Sequence, residues 1–556
     1  MAALAEIFAS GGAILSGSDV PDHFYTDEIL KAIGLKPFES FEASHVGDDV
    51  RLVIYSAAYD PAVNPELLEA RRRGIPLFSY PQALGQLSRR YDASGIAGVH
   101  GKTTTTAMTG SILEAVHSPA TVIAGSAVAS FGNRCTYIGG DTFLVAETCE
   151  YKRHFLNFSP RRILLTSVES DHQDYYPTYE SIRAAFIDYA ESLPAGGRLI
   201  YCADDPGARQ VADAVRTKRN DIVLIPYGFT AKGPYHIHSL RTGEGKNLFC
   251  IDAAGTGPGS QVFALRVPGV HLVLDAAGAI ALASTIMLDE RGGAGGENRG
   301  LAKEDWSTIA EALEGFRGSK RRSEIVGTAA GVLVMDDYAH HPTAIRDTIA
   351  GLKSFWPDRR LVVDFMSHTY TRTKALLDEF SASFGQADCL ILHGIYASAR
   401  EKPIEGVSGR AIFEKAKALN PGMVDLTPKT DATLMTGAGI VADGDGTADG
   451  TADGTADGTA DGVSAVPAHS AAPRGVPSEG LSGNPDRFML YMESIDGAAS
   501  AIFPLLRAGD LFITMGAGDN WKVGAALLTM LESRVLPPRH CEDTRVCRED
   551  TQTRKD

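Results

Sequence analysis

The stretch GIAGVHGKTTTTAM at residues 95–108 constrains the fold more than any other part of the chain. Gly98 and Gly101 flank a short loop, and Lys102 and Thr103 open a segment with four threonines in a row. β-Branched runs are mediocre helix formers, so a simple helix cap fits this sequence poorly. A glycine loop between a strand and a helix directs backbone N–H groups toward a phosphate. The sequence therefore predicts a phosphate-binding loop.

The spacing of this loop departs from the ordinary pattern G-x-x-x-x-G-K-[ST]. That pattern requires a glycine at position 96, where the chain has Ile96, and the shorter loop G-x-x-G-K-T contains His100. In such a loop the lysine reaches β- and γ-phosphate oxygens, and the threonine hydroxyl ligates magnesium. The residues expected to hold the nucleotide here are Gly98, Val99, His100, Gly101, Lys102, Thr103 and Thr104.

Apolar runs of strand length alternate with helical patterns along most of the chain. Strands are predicted at 51–58, 141–147 and 161–168 and at four runs in the last third, GVLVMDDY, RRLVVDF, DCLILHG and DLFITMG. Helical patterns lie between them, such as ESIRAAFIDYAESL at 180–193. This order predicts an α/β fold with parallel sheets covered by helices. In such sheets functional sites lie at the carboxyl ends of the strands.

Composition limits the class of protein. A chain of 556 residues should hold roughly three or four domains. The net charge of -16 argues against nucleic acid or an anionic membrane surface as the main partner. We find no run of about 18 apolar residues and no signal-peptide layout, which predicts no membrane span. Seven scattered cysteines favour reduced thiols in the cytoplasm over a disulfide framework.

Some segments are expected to lie outside the core. Residues 291–305 are a glycine-rich loop. Residues 443–462 carry four perfect TADG units, and Pro/Ala/Ser-rich sequence follows to about residue 485. A calcium-binding interpretation of the repeat has the wrong period, so a solvated, disordered insertion at 443–482 is favoured. The tail at 536–556 is also expected to be unstructured.

Acidic side chains follow two of the predicted strands. Glu147 and Glu150 come after the first, and ESDHQD at 169–174, which includes His172, comes after the second. Magnesium takes oxygen ligands and one or two carboxylates. Any one of these carboxylates alone is better explained as a solvated loop charge. Together with the phosphate loop, the cluster predicts a metal–nucleotide site.

Cationic loops follow the predicted strands of the last third. SKRRSE at 319–324 includes Arg322, and arginine suits the charge that develops on a transferring phosphoryl group. DDYAHHPTAI at 336–345 and HTYTRTK at 368–374 add histidines, a tyrosine and further cations that could grip an anionic substrate. Metal binding by His340 together with His341 is disfavoured, because adjacent side chains rarely converge on one ion. A solvated basic patch is the alternative for each loop taken alone.

These residues resemble the Mur ligases over almost the whole chain. The matching motifs are SGSD at 16–19, VIYSAA at 53–58, GVHGKTTTT, ETCEYKRHFLNF, ESDHQDYY, DDYAHHPTAI, HTYTRTKALLDEF, YASAREKP and GDLFITMGAGD. The family uses the short G-x-x-G-K-T loop, and HTYTRTK together with AREK resembles its alanine-adding branch. A sister enzyme that reattaches recycled peptides shares AHHPTAI but differs in the later loop.

The resemblance implies three domains. A Rossmann-like domain for the UDP group is expected at 1–92, a central ATPase domain at 93–317 and a Rossmann-like C-terminal domain at 318–535. The implied reaction is ATP-dependent addition of L-alanine to UDP-N-acetylmuramate through an acyl phosphate, in peptidoglycan synthesis. ATP and Mg²⁺ are the implied cofactors, with no nucleic-acid or membrane partner and a monomer or weak dimer as the assembly. The alternatives are a peptide-recycling ligase and a nucleotide-binding relative without ligase activity.

The resemblance also implies roles for single residues. Lys102, Glu147, His172 and Arg322 would be catalytic, with Thr103, Glu147 and His172 as magnesium ligands. His271, Arg322 and Asp337 would join the phosphate loop in contacting the nucleotide. The substrate contacts would be Ser18, Asp19, Ser56, Tyr338, His341 and Arg372, and Asp337 would also face the muramyl substrate or its amine.

The chain departs from the family pattern at several positions. Where relatives have HNVxNA, this chain has HLVLDA, so Leu272 and Asp275 replace two asparagines while His271 remains. Thr369 stands where relatives often have arginine. The N-terminus begins where a glycine-rich turn of relatives ends. ALAEIFAS is then expected to be the first helix and AILSGSD at 13–19 the second strand, with the native start on the order of 10–25 residues upstream of Met1.

Overall fold

The structure of the protein is a computed structural model, which describes residues 1–21, 26–243, 245–252, 260–292, 300–397, 401–428 and 485–535. Helices and strands alternate along these residues, and the strands form three separate sheets. The α/β class predicted from the sequence is confirmed. The predicted insertion at 443–482, the predicted tail at 536–556 and part of the glycine-rich loop at 291–305 lie outside the described residues.

The N-terminal part has a small parallel sheet with helices around it. Its strands are β1 (Val53–Tyr55) and β2 (Leu77–Ser79), and its helices are α1 (Ala2–Ser10), α2 (Thr26–Ala32), α3 (Pro65–Arg72) and α4 (Tyr80–Ser88). Local sequence explains α3: Pro65 occupies its first turn, and the Asn64 side chain accepts hydrogen bonds from the N–H groups of Glu66 and Leu67. Such a cap satisfies N–H groups that have no partner inside the helix.

The segment AILSGSD at 13–19 is not the predicted strand. Ile14 is 96% exposed, and the pairing that the structure gives this segment is one isolated bridge between Ser18 and Phe38. A strand requires a hydrogen-bonded neighbour along its length, and the small sheet pairs only β1 with β2 among the described residues. The apolar start of the segment is therefore insufficient evidence for a strand. The expectation that ALAEIFAS forms the first helix is confirmed by α1.

The central part contains a ten-stranded sheet in the order β12-β11-β10-β9-β8-β7-β3-β6-β4-β5. Its strands are β3 (Asp92–Ala97), β4 (Ala120–Val128), β5 (Arg134–Ile138), β6 (Phe143–Glu147), β7 (Arg162–Leu165), β8 (Arg198–Cys202), β9 (Val223–Gly228), β10 (Tyr235–Gly243), β11 (Lys246–Asp252) and β12 (Ser260–Leu265). Its helices are α5 (Lys102–Ala115), α6 (Tyr179–Glu191), α7 (Pro206–Lys218), α8 (Val270–Glu290) and α9 (Lys303–Gly315). Since β3 is parallel to both β6 and β7, the loops after these three strands meet at one edge.

Helix α8 has the length and hydropathy of a membrane-spanning segment, yet 83% of its most apolar window is buried inside the protein. Its residues belong to the same apolar cluster as β4, β9 to β12 and α9. A helix that is apolar all round is typical of a large core. Asp275 lies on this helix and is itself buried.

The C-terminal part contains a seven-stranded sheet in the order β13-β14-β19-β15-β16-β18-β17. Its strands are β13 (Glu324–Ala329), β14 (Val332–Asp337), β15 (Arg360–Phe365), β16 (Cys389–His393), β17 (Val424–Asp425), β18 (Phe488–Met492) and β19 (Asp510–Met515). Its helices are α10 (Pro342–Phe355), α11 (Tyr370–Ala375), α12 (Leu377–Ala382), α13 (Gly409–Leu419), α14 (Ala498–Ile502) and α15 (Trp521–Val535). Only β13 is antiparallel to its neighbour among these described strands.

The central and C-terminal parts are in close contact. Val128 at the end of β4 forms a bridge with Ser319, and the Lys320 N–H donates to the Ala127 carbonyl over 2.8 Å. Helix α10 approaches the start of α8 where two glycines meet: a Cβ added at Gly351 would lie 2.6 Å from the Gly269 Cα. These contacts place the loops after β14 opposite the loops after β3, β6 and β7.

Candidate functional site

The phosphate loop connects β3 to α5 through two glycines with positive φ angles. Gly98 has φ 142° and Gly101 has φ 79°, conformations that other residues rarely adopt. A Cβ at Gly98 would collide with the Thr166 side chain, and one at Gly101 would collide with the Asp275 carboxyl. The loop therefore requires glycine at both ends for two reasons, backbone conformation and space. The backbone N–H groups at the start of α5 suit an anion.

Lys102 at the start of α5 is held inside the loop by oxygen atoms. Its Nζ lies 3.0 Å from Glu150 Oε2 and also donates to the carbonyls of Gly98 and Val99. Burial opposes the charged form, but the carboxylates of Glu150 and Glu147 outweigh it and raise the pKa of Lys102. Glu150 responds in the opposite sense: against its burial, Lys102 and His172 lower the pKa of the carboxyl. The two side chains form an ammonium–carboxylate pair in which Glu150 is buried and Lys102 is largely shielded from solvent.

Next to the Lys102–Glu150 pair lie the three predicted magnesium ligands, Thr103, Glu147 and His172. The Thr103 hydroxyl donates to Glu147 Oε2 over 2.8 Å, and His172 Nε2 lies 3.4 Å from Glu150 Oε1. His172 has φ 53°, so its backbone adopts the left-handed conformation at this point. A hydroxyl and a carboxylate next to a phosphate loop are the oxygen donors that Mg²⁺ prefers. The donor set present here fits a magnesium–nucleotide group.

A cavity of about 440 Å³ extends from this loop toward the C-terminal part. The predicted site residues that line it are Val99, His100, Gly101, Lys102, Thr103, Thr104, Glu147, His172, His271, Arg322, Asp337 and His341. Three others lie beside it: Gly98, Tyr338 and Arg372 contact residues of its wall. The structure thus brings together residues from positions 98 to 372 of the sequence.

The loop after β14 supplies the C-terminal wall. Asp337 accepts hydrogen bonds from the N–H groups of Ser323 and Ala339, over 2.7 Å and 2.8 Å. The Arg322 guanidinium lies 5.0 Å from the ring centre of Tyr338, within the range of a cation–π contact. This arrangement orders the loop and leaves a guanidinium facing the phosphate loop.

A buried ion pair joins the two parts of the chain beside the cavity. Arg372 Nη2 donates to Asp171 Oδ1 over 3.0 Å, and both side chains are buried. Although burial opposes it, the Arg372 charge together with His172 holds the pKa of Asp171 far below its usual range. Burial and the nearby Arg372 lower the pKa of His340 well below its ordinary value, which keeps that imidazole neutral.

Ser18, Asp19 and Ser56 are not brought to this cavity. The Ser18 hydroxyl donates to Glu66, Asp19 accepts from the Tyr59 hydroxyl over 2.8 Å, and the Ser56 hydroxyl accepts from the Ala58 N–H over 3.2 Å. All three belong to the N-terminal part. Their role as contacts to a UDP group stays a prediction.

Two residues of the cavity, Glu150 and Asp275, make contacts that the sequence alone does not indicate. The sequence groups Glu150 with Glu147 as a candidate carboxylate, but the pairing of Glu150 with Lys102 is visible only in three dimensions. Asp275 departs from the family pattern, and it lies against Gly101. Burial raises the pKa of Asp275 to about 7, although the Thr105 hydroxyl and Arg322 act in the other direction.

Comparisons with known proteins identify the family of this chain. The Mur ligase family catalytic domain matches residues 1–92, the Mur ligase middle domain residues 96–283 and the Mur ligase glutamate ligase domain residues 321–446. The chain is 41% identical over 536 residues to the UDP-N-acetylmuramate–L-alanine ligase of Treponema pallidum strain Nichols, an alignment that covers 96% of this chain and 95% of the relative. The chain belongs to the Mur ligase family.

Other relatives of this Mur ligase have the same name. The UDP-N-acetylmuramate–L-alanine ligase of Desulfitobacterium hafniense strain Y51 is 33% identical, with 95% of this chain and 97% of the relative covered. Among solved structures, the UDP-N-acetylmuramate-alanine ligase of Thermotoga maritima matches with a TM-score of 0.66 at 21% identity, covering 96% and 97% of the two chains. A murein peptide ligase from Psychrobacter arcticus matches with a TM-score of 0.58 at 20% identity, covering 97% of each chain. These structures establish the three-domain Mur ligase fold.

Proposed function

We propose that this Mur ligase joins L-alanine to the carboxylate of UDP-N-acetylmuramate at the expense of ATP, in the synthesis of peptidoglycan precursors. One observation carries the proposal: a phosphate loop, a carboxylate–hydroxyl pair and an arginine from another domain face one cavity. Relatives with that activity in their name, aligned over nearly the whole chain, support it. Binding alone would not require Glu147, His172 and Arg322 together. The peptide-recycling alternative is not favoured, because these relatives are named as alanine ligases.

The phosphate side of the reaction is assigned to the central domain. We infer that the loop N–H groups and Lys102 hold the β- and γ-phosphates, and that Thr103, Glu147 and His172 hold magnesium. Magnesium would supply positive charge that draws electron density from the transferring phosphoryl group. Lys102, which is paired with Glu150 in the structure, would exchange this carboxylate for the phosphate, and Glu150 would then remain beside His172.

The positively charged side chains of the site reduce the repulsion between two anionic substrates. A muramyl carboxylate and ATP are both anions, so they repel each other unless positive groups lie between them. Arg322 faces the phosphate loop from the C-terminal wall and is placed to stabilise the γ-phosphoryl group as the carboxylate attacks. The product of that attack is an acyl phosphate. The amine of alanine then attacks the acyl carbon and phosphate leaves.

Water must be kept from the acyl phosphate, because hydrolysis would waste it. The walls of the cavity come from two domains, and the buried Arg372–Asp171 pair joins them at its side. We infer that Tyr338, His341 and Arg372 position the muramyl group or the amine, with Ser18, Asp19 and Ser56 on the UDP group. Cytoplasmic ATP and UDP-linked substrate would be the natural setting, with a monomer or weak dimer as the working form.

Phosphate release by the purified full chain tests the proposal. We expect release only when ATP, Mg²⁺, UDP-N-acetylmuramate and L-alanine are all present. Glycine, L-serine and an L-alanyl peptide, each replacing alanine, measure amino-acid specificity and test the recycling alternative. Release that requires the peptide and ignores alanine would favour the recycling ligase. Nucleotide binding without any substrate-dependent release would contradict ligase activity.

A further inference from the structure

Three side chains converge beside the phosphate loop, apart from the residues assigned to magnesium. His100 Nε2 lies 3.5 Å from Glu169 Oε2, and His341 Nδ1 lies 3.8 Å from the same oxygen. One ligand atom from each residue lies within 4.8 Å of the other two. The two imidazole rings are 4.9 Å apart between centres. His100 comes from the phosphate loop, Glu169 from the loop after β7 and His341 from the residue before α10.

The nitrogen atoms of this cluster are poorly satisfied by the protein. Among the described residues, His341 Nε2 and His100 Nε2 are buried without a hydrogen-bond partner. His341 is 6% exposed; its Nδ1, the atom nearest Glu169, accepts a hydrogen bond from the Thr343 N–H over 3.4 Å, so the unpaired nitrogen of this ring is Nε2. Buried polar atoms are normally paired, so atoms left unpaired point to a missing ligand.

The protonation states of His341 and Glu169 also favour the binding of a metal cation. Burial, with His100 as a further cause, lowers the pKa of His341 to about 4, so the imidazole is neutral at pH 7. Although burial opposes it, the polar contacts with His100 and with the Thr343 hydroxyl lower the pKa of Glu169, so this group is a carboxylate. Metal ligation requires neutral imidazole and ionised carboxylate.

We propose that His100, Glu169 and His341 form a binding site for a zinc-like divalent transition metal. Two imidazoles and one carboxylate are a ligand set that zinc uses in catalytic proteins, whereas magnesium prefers oxygen ligands throughout. Tetrahedral bonds of about 2.0–2.1 Å put ligand atoms about 3.3 Å apart, so small movements of three side chains suffice. A fourth position would face the cavity and take water.

An ion at this site would connect two domains. His100 and Glu169 belong to the central domain, and His341 precedes the first turn of α10 in the C-terminal domain. The Thr343 hydroxyl, also on α10, donates to Glu169 Oε2 over 3.1 Å and already draws the two sides together. The ion would hold the C-terminal wall against the phosphate loop.

Isothermal titration of the metal-free full chain with zinc chloride tests the proposal. The protein carries no affinity tag, no nucleotide is added, and millimolar Mg²⁺ occupies sites that prefer oxygen ligands. We expect one zinc ion per chain, and an affinity lowered by about tenfold or more in Glu169→Gln and in His341→Asn. Both substitutions nearly preserve shape, and thermal denaturation without metal verifies that each variant is folded.

Control variants decide where zinc binds. Glu147→Gln alters the assigned magnesium site, and the double change of His236 and His238 to alanine removes an exposed pair near Asp252. Both controls should bind zinc like the unaltered protein. Zinc binding that survives in Glu169→Gln and His341→Asn, or that is lost in either control, would overturn the proposal. Because no substrate is present, the result is independent of the ligase assay.

Cobalt provides a second readout of the ligands. Co²⁺ substitutes for Zn²⁺ in such sites, and the absorption of the complex reports whether sulfur is bound. We expect visible bands without a thiolate charge-transfer band in the near ultraviolet. Cys149 lines the same cavity, so such a band would show that this thiol binds the metal and would contradict the proposed set.

Discussion

Replacing Asp275 by asparagine is expected to stabilise the protein at pH 8 and to change it little near pH 4. The carboxyl is 7% exposed and lies against Gly101, where it faces the Thr105 hydroxyl, Arg322 and Tyr227. Burial raises the pKa of Asp275 from an ordinary 3.8 to about 7. The unfolded chain therefore loses this proton at lower pH than the folded protein does. Folding stability falls as the pH rises through that interval and is constant above it.

The size of the effect follows from the shift. A difference of about 3 pKa units corresponds to about 4 kcal/mol once the pH exceeds the folded pKa, at about 1.36 kcal/mol per unit. Between pH 5 and pH 8 the part that changes is about 2–3 kcal/mol. The amide that the substitution introduces cannot ionise, so the variant is free of this cost at every pH.

Urea denaturation of both proteins at pH 5, 6, 7 and 8 measures the effect. The stability of Asp275→Asn minus that of the unaltered protein should grow steadily with pH up to about 7 and then level off. Glu304→Gln, which removes an exposed carboxyl of the same domain, controls for the loss of one acidic group. A difference that is the same at pH 5 and pH 8 would refute the reasoning.

Three further predictions concern other parts of the molecule. Lys102→Ala should lower turnover by several orders of magnitude with the fold intact, as measured by phosphate release and circular dichroism; near-normal turnover would remove this lysine from the mechanism. Deletion of 443–482 should leave activity largely unchanged, because residues 429–442 and 483–484 still provide a connection of about 50 Å between the described ends; an inactive or unfolded variant would show that the segment is required. Arg162→Met should cost about 3 kcal/mol in denaturation experiments, since the buried guanidinium bonds both Asp92 and Asp289; an unchanged midpoint would show that the two carboxylates need no partner.

The parts of the site that lie close together in sequence are predictable. The phosphate loop is recognised from one stretch of residues, because glycine conformation, the lysine and the helix start act locally. The carboxylates after β6 and β7 can be grouped with it, since parallel strands beside β3 bring their carboxyl ends to one edge. The pattern of strands and helices indicates the α/β class for the same reason.

Contacts between distant segments are not predictable from periodicity. Asp171 and Arg372 are 201 residues apart, and no local signal indicates that they pair. The sequence assigns Lys102 to phosphate, but its partner Glu150 depends on how the loop after β6 turns back. The segment at 13–19 fails as a strand because apolar residues alone do not supply a hydrogen-bonded neighbour. In the sequence, Asp275 is notable only because it departs from a family pattern. Its burial, which raises the pKa of the carboxyl, is visible only in the structure.

The close approach of Gly351 and Gly269 has a consequence for the dimensions of the cavity. The first turn of α8 lines the cavity with His271 and Leu272, and the second turn of α10 lines it with Thr348. Thr348 lies one helical turn before Gly351, so the contact between the two helices is next to the cavity. Even a single methyl group at position 351 would act as a wedge between the backbones, 2.6 Å from the Gly269 Cα. The spacing of two helices that line the cavity therefore depends on two glycines outside it, as well as on the residues that line it.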